Sequence, residues 1–144
     1  MNTTPELRPF WGHLSGTVTF PETDACLEVS GQPLQTVGVA EGEVTPLGRT
    51  SYRSTHCATQ DGRSLNGELT LTAEDGDLVH LTFMAATVEP PPLIVQQVEL
   101  VVDGGTGRFA TASGQVLGMV YATFMGFDNP EWPFEIALAG TITF

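Results

Sequence analysis

The feature that most constrains this chain is a glycine-rich turn between two strand-like runs. Residues 93–102 are rich in β-branched side chains and too short for a buried helix of normal length, so they predict a strand. After the turn, residues 114–125 alternate two sets of side chains, which is the period of a second strand. Three glycines within residues 104–107 permit positive φ angles, and Phe109 offers an apolar anchor for the loop.

The rest of the chain predicts the same class of structure. No run of twelve or more residues has a helical period, and sixteen glycines and ten prolines are spread along the 144 residues. About eight strands at regular spacing favour an all-β, single eight-stranded antiparallel β-barrel, because closure removes the exposed edges. We expect residues 1–10 to form a flexible arm and residues 11–144 to form one barrel domain.

The turn also carries a family resemblance. Residues 104–109 read Gly-Gly-Thr-Gly-Arg-Phe and are followed by Ser113, Gly114 and a long strand, with Gly-Thr-Ile at residues 140–142. This pattern resembles the glycine-rich turn of the allene oxide cyclase and dirigent superfamily and its small bacterial relatives. The resemblance is strongest over the second half of the chain. It implies a calycin-type barrel whose lumen holds an apolar small molecule, and it speaks for fold more than for activity.

The charge of the chain limits its partners. Seventeen acidic residues stand against five arginines and no lysine, so the formal net charge is −12. Such a surface repels phosphates and anionic lipids, and we expect neither nucleic acid nor membrane as a partner. No window approaches the roughly twenty apolar residues of a membrane span, and the N-terminus lacks the layout of a signal peptide. The sequence therefore predicts a cytoplasmic protein.

Two cysteines and three histidines are the candidate metal ligands. Cys26 and Cys57 could pair if their strands are neighbours, but cysteines in a cytoplasmic chain are more often reduced, so we expect two thiols. Only His56 is close to either cysteine, which makes a poor zinc site, and no metal is expected. Because phosphate-loop, dinucleotide and nucleophile-elbow motifs are all missing from the sequence, we expect no cofactor.

The first candidate catalytic residue is His80. An Asp-Gly pair at residues 75–76 predicts a hairpin, and a loop of two or four residues there would set Leu71 opposite His80. His80 would then share a face with leucines, where its pKa and hydrogen bonding could be tuned for acid–base work. The alternative for His80, as for His13 and His56, is a surface histidine or a satisfied core histidine.

Two further catalytic candidates lie around the last hairpin. A symmetric loop of about eight residues over 126–133 would set Tyr121 opposite Leu138, which gathers large side chains on one face. Tyr121 could then place one hydrogen bond on a ligand. Glu135 directly follows Phe134 and lies close to Trp132 in the sequence, and a carboxylate in such surroundings can have a raised pKa. The alternative is that Glu135 points to water.

Methionine and aromatic side chains predict the ligand contacts, because they adapt to irregular apolar molecules. The alternative for each of these residues is that its side chain packs in the barrel core and contacts no ligand. The candidate ligand-binding residues are Phe83, Met84, Met119, Phe124, Met125, Phe127, Trp132 and Phe134.

Residues 49–57 form the most polar predicted strand, with Tyr52, Ser54 and His56 on one face. This polarity favours an edge strand or an outward face over a partly wet lumen.

Three functions fit these features. The first is a barrel that binds an apolar small molecule and acts as a cofactor-free cyclase or isomerase, holding a flexible substrate in its reactive shape. The resemblance to allene oxide cyclase implies this function. The second is a non-catalytic carrier or sensor of a hydrophobic metabolite. The third is a structural homo-oligomer with a filled core.

Overall fold

The computed structural model describes residues 4–144, which form one closed barrel of eight strands. Each strand pairs antiparallel with the next, and the last strand returns to pair with the first along its whole length. The predicted eight-stranded antiparallel barrel is confirmed. The strands are β1 (Leu7–Thr19), β2 (Thr36–Thr45), β3 (Gly48–Ala58), β4 (Arg63–Thr72), β5 (Leu78–Glu89), β6 (Leu93–Gly105), β7 (Ser113–Thr123) and β8 (Glu131–Thr143).

Alternation of side chains along each strand builds the core. In β8, Phe134, Ile136 and Leu138 are buried, whereas Glu135 and Ala137 between them are exposed. Successive residues of a strand point to opposite faces, so the buried set lines the inside of the barrel. The barrel therefore has a continuous apolar interior and a mixed outer surface.

One end of the barrel, called here the closed end, is sealed by the glycine-rich turn between β6 and β7. The Phe109 side chain is fully buried there, and its ring centroid lies 4.8 Å from that of Phe144. Arg108 stacks on the Phe109 ring, and its Nε lies 3.3 Å from a carboxylate oxygen of Asp75. Gly107 has a φ of +56°, and a Cβ there would collide with the carboxylate of Asp77. Phe109 thus anchors the turn, as predicted, and the anchored turn closes this end of the barrel.

The opposite end, called the open end, carries longer loops. Residues 20–35 connect β1 to β2 through a 3-10 helix (Asp24–Cys26) and a single turn of α-helix, α1 (Leu27–Ser30). This connection, called here the β1–β2 loop, packs α1 against β3 and β4. No helix within residues 4–144 is long and apolar enough to cross a membrane.

A disulfide joins the β1–β2 loop to the barrel wall. Cys26 is bonded to Cys57 of β3, with the two Cα atoms 5.4 Å apart. The expectation of two thiols was wrong. The disulfide forms because the fold of the β1–β2 loop places Cys26 against β3. The two cysteines are 31 positions apart in the chain, and no local sequence pattern reveals such a contact.

The first strand begins earlier than predicted. β1 starts at Leu7 and Phe10 is fully buried, so most of the predicted arm over residues 1–10 belongs to the barrel or leads directly into it. Residues 1–3 lie outside the described residues. The strand extends this far because residues 7–10 pair with the end of β8.

Both hairpin registers inferred from loop symmetry were wrong, because each loop has an odd number of residues. Residues 73–77 form a five-residue loop with Gly76 at a φ of +94°, which pairs His80 with Thr70 instead of Leu71. Residues 124–130 connect β7 to β8, and Tyr121 pairs with Glu135 instead of Leu138. A change by one residue moves a side chain to the other face of the sheet.

Candidate functional site

The open half of the barrel contains a cavity of about 790 Å³. Its walls are mostly apolar side chains from the inner face of the strands, such as Val98, Val120 and Ile136. It opens between the β1–β2 loop and the loop that joins β7 to β8, since Leu34 and Phe127 of these loops both line it. A space of this size, open at one end, is typical of a small-molecule site.

Small inward-facing residues create this space. Gly38 of β2, Ala85 of β5 and Ala122 of β7 occupy positions where larger side chains would fill the lumen. A Cβ at Gly38 would lie 2.7 Å from Ser54 Oγ and 3.4 Å from the Phe134 ring. The glycine therefore keeps open the space directly in front of β3.

Aromatic side chains surround the mouth of the cavity. The Trp132 ring contacts those of Phe20 and Phe124, with centroid distances of 4.6 Å and 5.0 Å. Its Nε1 donates a hydrogen bond of 3.1 Å to the carbonyl of Gly126, which fixes the indole against the β7–β8 loop. Phe127 packs edge-on against Phe124 but is 92% exposed. An exposed aromatic group at the rim can contact a ligand that enters.

A row of polar side chains crosses one wall of the cavity. Tyr52, Ser54 and His56 point inward from β3, and the rings of Tyr52 and His56 pack beside Phe134 and Phe83, at 5.6 Å and 5.8 Å between centroids. Burial lowers the pKa of His56 to about 4. Burial raises the pKa of Tyr52 to about 12, against a smaller opposing effect of its hydrogen bond with Ser54. All three groups are therefore uncharged at neutral pH.

Among the described residues, two charged side chains line the cavity, and both lie at its mouth. These are Arg63 and Glu131. Arg63 is already engaged, since its Nε donates a 2.9 Å hydrogen bond to Asp61. The Thr59 hydroxyl, and after it the Arg63 guanidinium, hold the pKa of the Asp61 carboxyl below its usual value. The inner part of the site is thus a neutral environment with hydrogen-bonding groups.

Four of the residues predicted to bind the ligand line the cavity. They are Phe83, Phe127, Trp132 and Phe134. Phe124 supports the rim by packing on Trp132 without lining the cavity. The three methionines lie elsewhere, with Met84 65% exposed, Met125 exposed beyond the end of β7, and Met119 on the outer face of that strand opposite Ala137.

None of the three catalytic candidates lines the cavity. His80 is on the outer surface, where its Nδ1 lies 3.2 Å from the Thr70 hydroxyl, so its predicted place among leucines was wrong. Tyr121 is 38% exposed and pairs across the strands with Glu135. Glu135 points to water, as its alternative interpretation held, and one of its oxygens lies 3.9 Å from His13 Nε2. Tyr121 and Glu135 are therefore neighbours on the outer surface of the barrel, on β7 and β8, whereas His80 lies on β5.

The inward polar row on β3 was missed. The alternation of Tyr52, Ser54 and His56 was visible in the sequence, but its polarity was interpreted as an outward face, which the structure contradicts. The signal that could have found it is the flanking strand, since β2 places the small residues Gly38 and Ala40 opposite Ser54 and Tyr52. Small neighbours beside polar groups leave room for a ligand instead of a packed core.

Comparison with known proteins bears on the fold. No protein-family profile matches the sequence, and no curated protein matches it. Among solved structures, the dirigent protein GePTS1, a pterocarpan synthase, superposes with a TM-score of 0.52 over 100% of this chain and 88% of that chain. This chain has the dirigent-type barrel fold. The resemblance expected from the glycine-rich turn is confirmed at the level of fold, and at 11% sequence identity the likeness does not extend to individual residues of the site.

In this dirigent-type barrel, the glycine-rich turn and the cavity lie at opposite ends. The turn closes the floor at Phe109, whereas the cavity opens beside Trp132. Within residues 4–144, no group of three or more His, Cys, Asp and Glu side chains is placed to hold a metal ion.

Proposed function

We propose that this barrel binds an apolar small molecule in its open half and orients it for a cofactor-independent cyclisation or isomerisation. The observation that carries the proposal is the cavity of about 790 Å³, open at one end and lined mainly by apolar side chains. Holding the reacting ends of a flexible molecule together can supply a large part of the barrier reduction. The fold likeness to a dirigent protein that is a pterocarpan synthase supports this function.

The chemistry of the lumen favours orientation over acid–base catalysis. A histidine with a pKa of about 4 is a weak base at neutral pH, and a tyrosine with a pKa of about 12 is a weak acid. His56 and Tyr52 can therefore hydrogen bond to a ligand but exchange protons poorly. The site would therefore promote a reaction mainly through the shape of its walls, which fixes the conformation of the bound molecule.

A carrier or sensor without catalysis is the second candidate function. The observation in its favour is that His80, Tyr121 and Glu135 all lie outside the cavity. The homo-oligomer stays a prediction. The cytoplasmic location also stays a prediction, and the Cys26–Cys57 disulfide weighs against it because disulfides persist mainly in oxidising compartments.

Binding of a neutral apolar dye tests the proposal. We expect N-phenyl-1-naphthylamine to bind the wild-type protein saturably and with enhanced fluorescence. Ala85→Trp places an indole inside the cavity and should abolish binding, whereas Ala86→Trp, whose side chain is on the outer face of the same strand, should retain it. Absence of saturable binding in the wild type, or equal binding by both variants, would contradict the proposal.

Turnover separates the two candidate functions. Incubation of the wild type with polyenes and polyene epoxides, without added cofactor, should yield cyclised products for an orienting catalyst and unchanged ligand for a carrier. Product formation that is lost in Ala85→Trp and kept in Ala86→Trp would assign the reaction to the cavity.

A further inference from the structure

The wall of the cavity formed by β3 and β4 has more hydrogen-bonding capacity than the protein itself uses. Ser64 of β4 pairs with Ala58 and Ala85, which line the cavity, so it lies on the inner face of the sheet. Its hydroxyl is buried and has no hydrogen-bond partner among the described residues. A buried polar group without a partner is costly, so an unpaired hydroxyl next to a ligand cavity is unusual.

His56 shows the same property on the neighbouring strand. Burial alone lowers its pKa, and within residues 4–144 no hydrogen bond or charged neighbour contributes to the change. The imidazole packs beside the Phe83 ring and lines the cavity, so its polar atoms remain available to an occupant. A neutral imidazole offers one donor and one acceptor.

The opposite wall differs in kind. Val98, Val120 and Ile136 present apolar groups, and the amide on this side, Gln96, donates a 3.2 Å hydrogen bond from its Nε2 to the Thr87 hydroxyl. The cavity is therefore two-sided. On β3 the His56 imidazole is available to an occupant, and the Tyr52 and Ser54 hydroxyls, which share one hydrogen bond, keep one further O–H donor between them. Apolar surface lies across from these groups. Gly38 keeps the space in front of the polar side open.

We infer that Tyr52, Ser54 and His56 form a recognition site for an uncharged hydroxyl or carbonyl group on an otherwise apolar ligand. The ligand class is thus a neutral amphiphile, such as an alcohol, a phenol or a ketone, and not a carboxylate or a pure hydrocarbon. A carboxylate would lose its hydration without meeting a cation in the inner cavity, and a hydrocarbon would leave the His56 imidazole without a hydrogen-bond partner. This inference rests on the proposed binding function and adds the orientation of the ligand, polar end on β3.

A matched set of probes tests it. Naphthalene, 1-naphthol and 1-naphthoate share one ring system and differ in the polar group, and each is measured by displacement of N-phenyl-1-naphthylamine at pH 7. We expect 1-naphthol to bind the wild type about tenfold more tightly than naphthalene, because one to two hydrogen bonds are gained, and 1-naphthoate to bind more weakly than either.

Removal of two oxygens should erase the preference. In the double variant Tyr52→Phe, Ser54→Ala, the advantage of 1-naphthol should fall below about threefold while the affinity for naphthalene stays within about threefold of the wild type. Ser51→Ala is the matched control, since that hydroxyl is on the outer face of the same strand, and it should keep the full preference. Circular dichroism of each variant checks that the barrel is folded, and Ser54→Ala alone serves if the double variant is not.

The outcomes are distinguishable from those of the proposed function. Equal binding of 1-naphthol and naphthalene, tightest binding of 1-naphthoate, or a preference that survives in the double variant would each overturn the inference while the apolar site stands. A wild-type protein that does not bind the dye saturably overturns the proposed function itself, and the inference with it.

Discussion

Towards the closed end the barrel interior is filled by large side chains such as Phe10 and Phe109, whereas towards the open end the same sheet presents Gly38 and Ala85. The same eight paired strands run through both halves, and the size of the inward side chains differs between them. The strand register is also irregular at three places in the open half, between Thr55 and Cys57, between Ser64 and Gly67 and between Thr87 and Glu89, and at one place in the closed half, between Val79 and Leu81. One half of the barrel thus supplies stability by burial, and the other forgoes some burial and leaves a cavity.

The largest effect should come from the floor of the closed half. Phe109→Ala removes a fully buried ring, and we expect a loss of about 3–5 kcal/mol in the free energy of unfolding, measured by urea titration. Phe83→Ala in the open half should cost less than about 2 kcal/mol, because its ring is only partly buried and already borders a cavity. Equal losses in the two variants would break the distinction between the halves.

The disulfide is expected to stabilise the open end. Replacing both cysteines in Cys26→Ala, Cys57→Ala should lower the free energy of unfolding by about 2–4 kcal/mol, because the unfolded chain regains the freedom of a loop between residues 31 apart. Hydrogen exchange should become faster in the β1–β2 loop while the β6–β7 turn at the closed end stays protected in the native state. Uniform acceleration along the chain would show that the effect is not local.

The pH dependence of stability should report the buried imidazole of the open half. Because the pKa of His56 falls from 6.5 to about 4 on folding, the unfolded chain binds a proton in this window and the folded protein does not. Stability is therefore lost as the pH falls from about 6.5 to about 4, by up to about 3 kcal/mol from this one group.

A difference between two urea titration series isolates this contribution. The wild type should lose more stability over that window than His56→Gln, which has no titrating ring. His80→Gln changes an exposed histidine on the outer surface and should follow the wild type. If His56→Gln and the wild type show the same pH profile, the open half does not bury His56 as described.

The smallest effect on stability should occur at the rim. Phe127→Ser changes a side chain that is 92% exposed, so the free energy of unfolding should move by no more than about 0.5 kcal/mol. Dye affinity should still weaken several-fold, because the ring lines the mouth of the cavity. This combination would sharpen the division between stability at the closed end and binding at the open end, and unchanged affinity would argue that ligands do not contact the rim.

The candidate site was only partly predictable, for a reason that can be traced to loop parity. Phe83, Phe127, Trp132 and Phe134 were recognised by their size and apolar character, which do not depend on register. His80 was placed on the wrong face because its loop was expected to have an even number of residues. Its five-residue loop inverts the facing of the side chains across the hairpin.

Sequence alone determined that this chain forms an all-β barrel, because alternation, β-branched runs and regularly spaced turns are local properties that survive without knowledge of contacts. It also identified Phe109 as the anchor of the glycine-rich turn. Tertiary structure decided that Tyr52, Ser54 and His56 face the lumen and that Cys26 meets Cys57. Both depend on how distant segments come together, and that arrangement is set by the closure of the whole barrel rather than by any one stretch of it.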